Sequence, residues 1–205
     1  MSGEKREHWE KVYSERQADE VSWYQRHPEF SLELIRATGI SLDAALIDVG
    51  GGASRLIDSL LEKGYSDLSV LDIAAAALQQ TQQRLGPISQ RVTWLEGDVT
   101  RFRATRPYAL WHDRAVFHFL TAAEERQRYL EVLKAALPPG GHLIMATFAP
   151  DGPTHCSNLP VERYDAPRIE ATLGSDFTLQ EWRSEAHTTP RDTVQHFLYF
   201  RFRRA

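Results

Sequence analysis

The residues best suited to chemistry in this sequence are three acids and a run of glycines. Asp48 stands two residues before Gly50, Gly51 and Gly52 in the stretch IDVGGGAS. Asp72 closes the apolar run LSVLD, and Asp98 follows Gly97 at the end of RVTWLEG. Glycines permit positive φ and let a ligand lie against the main chain. A carboxylate beside such a loop suits a ligand carrying ammonium or sulfonium charge and repels a pyrophosphate. A carboxylate at the next strand end can accept both hydroxyls of a ribose. Asp98 can accept from the exocyclic amine of adenine, with Ile73 and Val99 packing on the ring faces. The three acids together point to a nucleoside-like ligand. The dinucleotide fingerprint G-x-G-x-x-G fails, because Arg55 stands where its third glycine belongs. The lysine of a phosphate-binding P-loop is missing as well.

These acids must sit at the ends of parallel strands. ALIDV (45–49), LSVLDI (68–73), RVTWLEGD (91–98), YALWHD (108–113) and HLIMATFA (142–149) read as five buried strands. Helical spacing separates them. Ala53, Leu56, Ile57, Leu60 and Leu61 share one face, residues 74–85 form a helix ended by Gly86-Pro87, and Tyr129, Leu130, Leu133 and Leu137 mark another. Thr121 and Glu124 have capping-box spacing. Parallel strands need crossover connections, so the pattern predicts an α/β fold with a doubly wound, mostly parallel sheet and helices on both faces. Residues 177–189 and 193–202 alternate apolar and polar side chains around a three-residue turn, which predicts a C-terminal antiparallel hairpin after a short helix near 166–173. Residues 148–165 read as a loop. Two helices, about 4–15 and 28–38, come first, joined by an aromatic segment.

With these positions in place, the chain resembles the class I S-adenosylmethionine (SAM)-dependent methyltransferases. The family's acid-x-Gly-x-Gly-x-Gly motif is matched by Asp48, Gly50 and Gly52, with Ser54 in place of the last glycine. Its ribose acid falls on Asp72 and its adenine acid on Asp98, and Pro138-Pro139-Gly140-Gly141 before the fifth strand is similar to a further landmark. The resemblance covers roughly residues 45–150. It implies a seven-stranded sheet, SAM as cofactor, and cofactor contacts from Asp48, Gly50, Gly51, Gly52, Asp72, Ile73, Gly97, Asp98 and Val99.

The resemblance also places WHDRAVFHFL (111–120) opposite the methionine part of SAM and the methyl group. It makes His112, Asp113 and His118 the catalytic candidates, with Asp113 and Arg114 as cofactor contacts. Trp9 and Tyr13 share a helix face. With Trp23 and Tyr24 they resemble an N-terminal lid, so residues 1–40 are read as a helical lid and 41–205 as a single SAM-binding unit. Aromatic faces attract a cation such as a sulfonium. Trp9, Tyr13 and Trp23 are therefore cofactor candidates; Tyr24, His118, Arg163, Tyr164 and His187 are substrate candidates.

The remaining features bound the answer. The 205 residues suit one domain. A net charge of −4 with no basic stripe argues against a nucleic-acid partner. One cysteine, Cys156, excludes an internal disulfide and a Cys-based zinc site, and no companion ligands mark another metal site. The polar start and the lack of a long apolar run predict a cytoplasmic protein away from membranes, as monomer or dimer. The expected activity is methyl transfer to the N, O or S atom of a small molecule. A protein-lysine methyltransferase, with a lysine-bearing protein as partner, and a non-catalytic SAM-binding protein are the alternatives; a nicotinamide oxidoreductase ranks behind them.

Overall fold

The computed structural model describes residues 2–205. Five parallel strands form its centre: β1 (Leu46–Val49), β2 (Leu68–Asp72), β3 (Val92–Glu96), β4 (Leu110–Arg114) and β5 (His142–Phe148). A short ribbon, β6 (His155–Cys156) and β7 (Leu159–Pro160), stands apart, and the long hairpin β8 (Phe177–Thr188) and β9 (Val194–Arg204) completes the sheet. The order is β3-β2-β1-β4-β5-β9-β8, with β9 antiparallel to β5 and β8 antiparallel to β9. The expected seven-stranded sheet with its reversed hairpin is present.

Among the described residues six α-helices accompany the strands: α1 (Ser2–Glu15), α2 (Glu29–Ala37), α3 (Leu56–Glu62), α4 (Ala75–Leu85), α5 (Ala123–Ala136) and α6 (Ala166–Leu173). Every residue of β1 and β2 is buried. Their nearly unbroken apolar runs follow from that, since a parallel sheet is covered on both faces. Leu34, Ile35, Leu56 and Leu60 fill one face from α2 and α3, and Tyr129, Leu133 and Ile169 fill the other from α5 and α6.

Three local expectations differ from the structure. The helix expected from Ala53 begins at Leu56, because Ala53 to Arg55 still belong to the turn after the glycines. The capping box is not formed: Ala122 is the N-cap of α5 and has no side-chain cap bond. Arg126 instead covers the carbonyls of Leu120 and Thr121. Residues 148–165 are not all loop, since Ser157 and Asn158 take positive φ and turn the β6–β7 ribbon back on itself.

The glycines are cleared first for the protein's own side chains. Gly50 has φ +69°, and a Cβ there would lie 2.0 Å from Val116 Cγ2. A Cβ on Gly51 would lie 2.1 Å from Asp48 Oδ2, and one on Gly52 2.6 Å from Asp72 Oδ2. Gly50→Ala should destabilise the protein by roughly 2–4 kcal/mol, combining overpacking with left-handed strain. Urea unfolding of a double-mutant cycle checks the division: Val116→Ala should recover the steric part and leave about 1–2 kcal/mol of backbone strain.

Candidate functional site

The order of strands reverses between β1 and β4, and in open α/β sheets ligands bind beyond the strand ends at such a point. The register sets Asp48 beside His112 and Val49 beside Asp113. A cavity of about 770 Å³, counting its open mouth, lies there. Gly50, Asp72, Ile73, Gly97, Asp98 and Val99 line one side of it. Trp9, Tyr13, Trp23 and Phe119 line the other. A second cavity of about 530 Å³ adjoins it and shares Tyr13, Trp23, Val49, Gly50 and Arg114. Ser31, Asp48, Gly51, Arg55, His112 and Tyr24 line its remainder.

Each acid is fixed by main-chain donors or by a neighbour. Asp72 Oδ2 accepts from Gly52 N–H at 3.0 Å, and Oδ1 accepts from Ala74 N–H at 2.9 Å. Burial pushes its carboxyl up to about 6; the N–H groups of Ala74 and Gly52 oppose the shift and the charge of Asp48 adds to it. Asp98 Oδ1 accepts from the N–H and the hydroxyl of Thr100, both at 2.8 Å, which caps the turn at 99–101. Asp48 Oδ1 accepts from His112 Nδ1 at 2.7 Å.

The aromatic side of the cavity is held by polar contacts. Glu10 accepts from Ala76 N–H at the start of α4. Gln80 donates to the carbonyls of Tyr13 and Arg16, where α1 ends. Lys5 donates to Phe119 O and Glu125 Oε1. Trp23 donates to the Tyr13 hydroxyl at 3.1 Å, and Trp9 meets Trp23 and Phe119 edge to face. Arg114 lines both cavities and holds the joining segment down, with Nη1 donating to Trp23 O at 2.8 Å and Nε to the Tyr199 hydroxyl at 2.7 Å.

Comparison with known proteins matches this architecture. The family described as "Methyltransferase domain" matches residues 47–143. That match covers a little under half of the chain and spans β1 to the start of β5. The mouse eEF1A lysine and N-terminal methyltransferase is 26% identical over 95 residues, which are 46% of this chain and 13% of that protein. The chain thus spans a small part of that relative. The Burkholderia thailandensis 1,6-didemethyltoxoflavin-N1-methyltransferase, solved with S-adenosylhomocysteine, superposes with a TM-score of 0.71 at 19% identity, covering 98% of this chain and 84% of the other. A protein solved in work on converting a disulfide bond into a thioacetal group during echinomycin biosynthesis superposes at 0.76 with 16% identity, covering 98% and 93%. At those identities the structural matches establish the fold.

Within this methyltransferase fold several expected site residues lie elsewhere. Asp113 is fully buried and lines neither cavity. Its Oδ1 accepts from the N–H groups of Val116 and Phe117, and Oδ2 accepts from the Tyr129 hydroxyl at 2.7 Å. It shapes the turn after β4, with both oxygens engaged there; burial pushes its carboxyl up to about 6. His118 is fully buried between Phe119 and Phe148 and lines neither cavity. His112 lines the second cavity, but both its ring nitrogens are engaged by Asp48 and Ser31.

Among the substrate candidates only Tyr24 lines a cavity. Arg163 donates to the carbonyls of Pro150 and Gly152, Tyr164 is buried against Phe117, and His187 Nε2 bonds to Ser22 O. These three secure loops. Gly52 also lines neither cavity and acts through its N–H on Asp72. Cys156 is buried, and burial pushes its thiol up to about 12, so no nucleophile resides there. Among the described residues no group of three or more His, Cys, Asp or Glu is placed to hold a metal, and no helix is long and apolar enough to cross a membrane. Lys5, Ser31 and Phe119 line the cavities without having been expected. Lys5 was legible in the four-residue spacing Lys5, Trp9, Tyr13; Ser31 carried no sequence signal.

Burial lowers His118 to about 3, with Arg114 adding to the effect. The fold keeps this ring neutral, and the unfolded chain takes up a proton below about 6.5. His118 therefore withdraws stability as pH falls below 6.5, about 2 kcal/mol by pH 5 relative to pH 7.5. Asp72 and Asp113, both raised to about 6, act in the opposite sense, and their stabilisation is lost as pH rises through 6. His118→Leu leaves both carboxyls in place. Thermal melts at pH 5 and 7.5 should show the variant gaining about 2 kcal/mol on the wild type at the lower pH; an unchanged difference would disprove the assignment.

Proposed function

We propose that this protein binds S-adenosylmethionine with the nucleoside in the larger cavity and transfers its methyl group to a small-molecule nucleophile. The observation that carries this reading is Asp72 and Asp98 on one wall of an aromatic-roofed cavity beside a loop without side chains. The residues fit the group. The turn at Gly50 leaves main chain exposed in both cavities, and the buried Oδ2 of Asp48 has no hydrogen-bond partner among the described residues.

SAM supplies a methyl group already activated on a sulfonium. The chain's own residues bind, orient and exclude water. The Asp72 carboxylate accepts from the ribose hydroxyls and Asp98 from the adenine amine, with Ile73 and Val99 against the ring. Trp9, Tyr13 and Trp23 roof the site as a lid formed from residues 1–40, and each aromatic face offers roughly 0.5–2 kcal/mol to a nearby cation. Holding donor and acceptor together supplies several kcal/mol more, about 7–11 in well-aligned systems. No general base is assigned, because His112 is engaged at both nitrogens.

A lysine-bearing protein is the second reading. The similarity to the mouse lysine and N-terminal methyltransferase favours it. The aromatic lining from Trp9, Tyr13, Trp23 and Phe119 favours a small acceptor.

Calorimetric titration with SAM and S-adenosylhomocysteine, with NAD as control, tests the cofactor. Methyl transfer to amine, thiol and phenol probes, set against lysine peptides, then tests the acceptor. Binding of NAD in place of both sulfur nucleosides would overturn the reading. Asp72 must be ionised to accept from two hydroxyls, so S-adenosylhomocysteine should bind about tenfold more weakly at pH 5 than at pH 7.5. Asp72→Asn should weaken binding at pH 7.5 and flatten that dependence.

A further inference from the structure

The second cavity contains a chain of buried polar groups. Asp48 Oδ1 meets His112 Nδ1 at 2.7 Å, and His112 Nε2 meets Ser31 Oγ at 2.8 Å. Asp48 and His112 are each 2% exposed and Ser31 is 1% exposed. The three residues come from β1, β4 and α2, and all line the cavity. A carboxylate only accepts, so Nδ1 carries a proton and donates it to Asp48. Nε2 pairs with the Ser31 hydroxyl on the far side of the ring. Each group in the chain thereby fixes the next.

The end of this chain is incomplete. Asp48 Oδ2 is buried and lacks a hydrogen-bond partner among the described residues. It lies against Gly51, where a Cβ would stand 2.1 Å away, so no side chain at that position can supply a donor. A buried carboxylate oxygen without a donor is costly, which makes it a receptor for a donor brought by a ligand. The smaller cavity joins the larger one at Gly50 and Trp23. A ligand with its nucleoside in the larger cavity reaches Asp48 with whatever lies beyond its 5′ position.

We propose that Ser31 and His112 are positioning residues that hold Asp48 to receive the α-ammonium of the cofactor's amino-acid tail, and so make the site discriminate tailed from tail-less adenosine thioethers. This inference rests on the SAM-binding reading above. Ser31 and His112 touch Asp48 and each other; Asp48 alone meets the ammonium. Without the Ser31 hydroxyl the imidazole loses its second anchor, and the ring no longer holds Asp48 in one orientation.

Four ligands separate the contributions: S-adenosylhomocysteine, its decarboxylated analogue that keeps the amine, its deaminated analogue that keeps the carboxylate, and 5′-methylthioadenosine. Calorimetry compares wild type with Ser31→Ala, a mild change inside a helix, and with His112→Gln as a second variant. In the wild type the two amine-bearing ligands should bind tighter than the two without an amine. Each variant should weaken the amine-bearing pair about tenfold and leave the other pair unchanged. Equal weakening of all four would mark the pair as structural and overturn the inference, as would no change in any. Wild-type protein that binds all four without preference for the amine overturns this inference alone. Wild-type protein that binds none of them overturns the SAM-binding reading as well.

Discussion

Gly52 donates its N–H to Asp72 Oδ2 at 3.0 Å, and that bond ties the loop after β1 to the end of β2. It requires that position 52 have no Cβ, since one would sit 2.6 Å from the same oxygen. The carboxylate in turn receives the N–H of Ala74 and so orders the start of α4. Gly50 makes the same demand on Val116 and Gly51 on Asp48. The glycine loop is thus a place where three strand ends approach each other more closely than side chains allow. A ligand site follows from it, because the main chain left bare at Gly50 lines both cavities.

The burial that places these acids also changes them. Asp72 and Asp113 are each pushed up to about 6, yet they serve different ends. Asp72 lines the larger cavity, whereas Asp113 spends both oxygens on Val116, Phe117 and Tyr129. The turn that Asp113 fixes carries Ala115 at φ 68° and sets Val116 against Gly50. Asp113 therefore acts on the site through the shape of its wall. The aromatic roof is attached by different means: Glu10, Gln80, Lys5 and Arg114 hold α1 and the segment around Trp23 with hydrogen bonds to neighbouring elements. Such contacts are individually modest, about 0.5–1.5 kcal/mol net, or about 1.5–3 where a charged group takes part.

The sheet was legible because buried parallel strands leave nearly continuous apolar runs and their crossovers leave helical spacing. The acids Asp48, Asp72 and Asp98 were legible because each follows directly on such a run. Errors arose where local pattern had several tertiary outcomes. Thr121 and Glu124 match a capping box, yet α5 starts one residue too late for Thr121 to cap it. His118 and Asp113 are polar residues in a conspicuous place, and only packing decides whether such a residue faces a cavity or a core.

The sequence by itself determined the α/β class, the parallel strands, the terminal hairpin, and the glycine loop with its acids. These follow from period, from apolar runs and from residue types that act within a few positions of one another. Tertiary structure alone decided that Asp113 and His118 are enclosed, that Arg163, Tyr164 and His187 secure loops, and that Ser31 reaches the second cavity. It also joined Ser31 to His112 across 81 positions and His112 to Asp48 across 64. A side chain's partners at such separations depend on which helix covers which strand. Local propensity carries no information about that, whereas the packing of α2 against α3 and β5 brings Ser31 to His112.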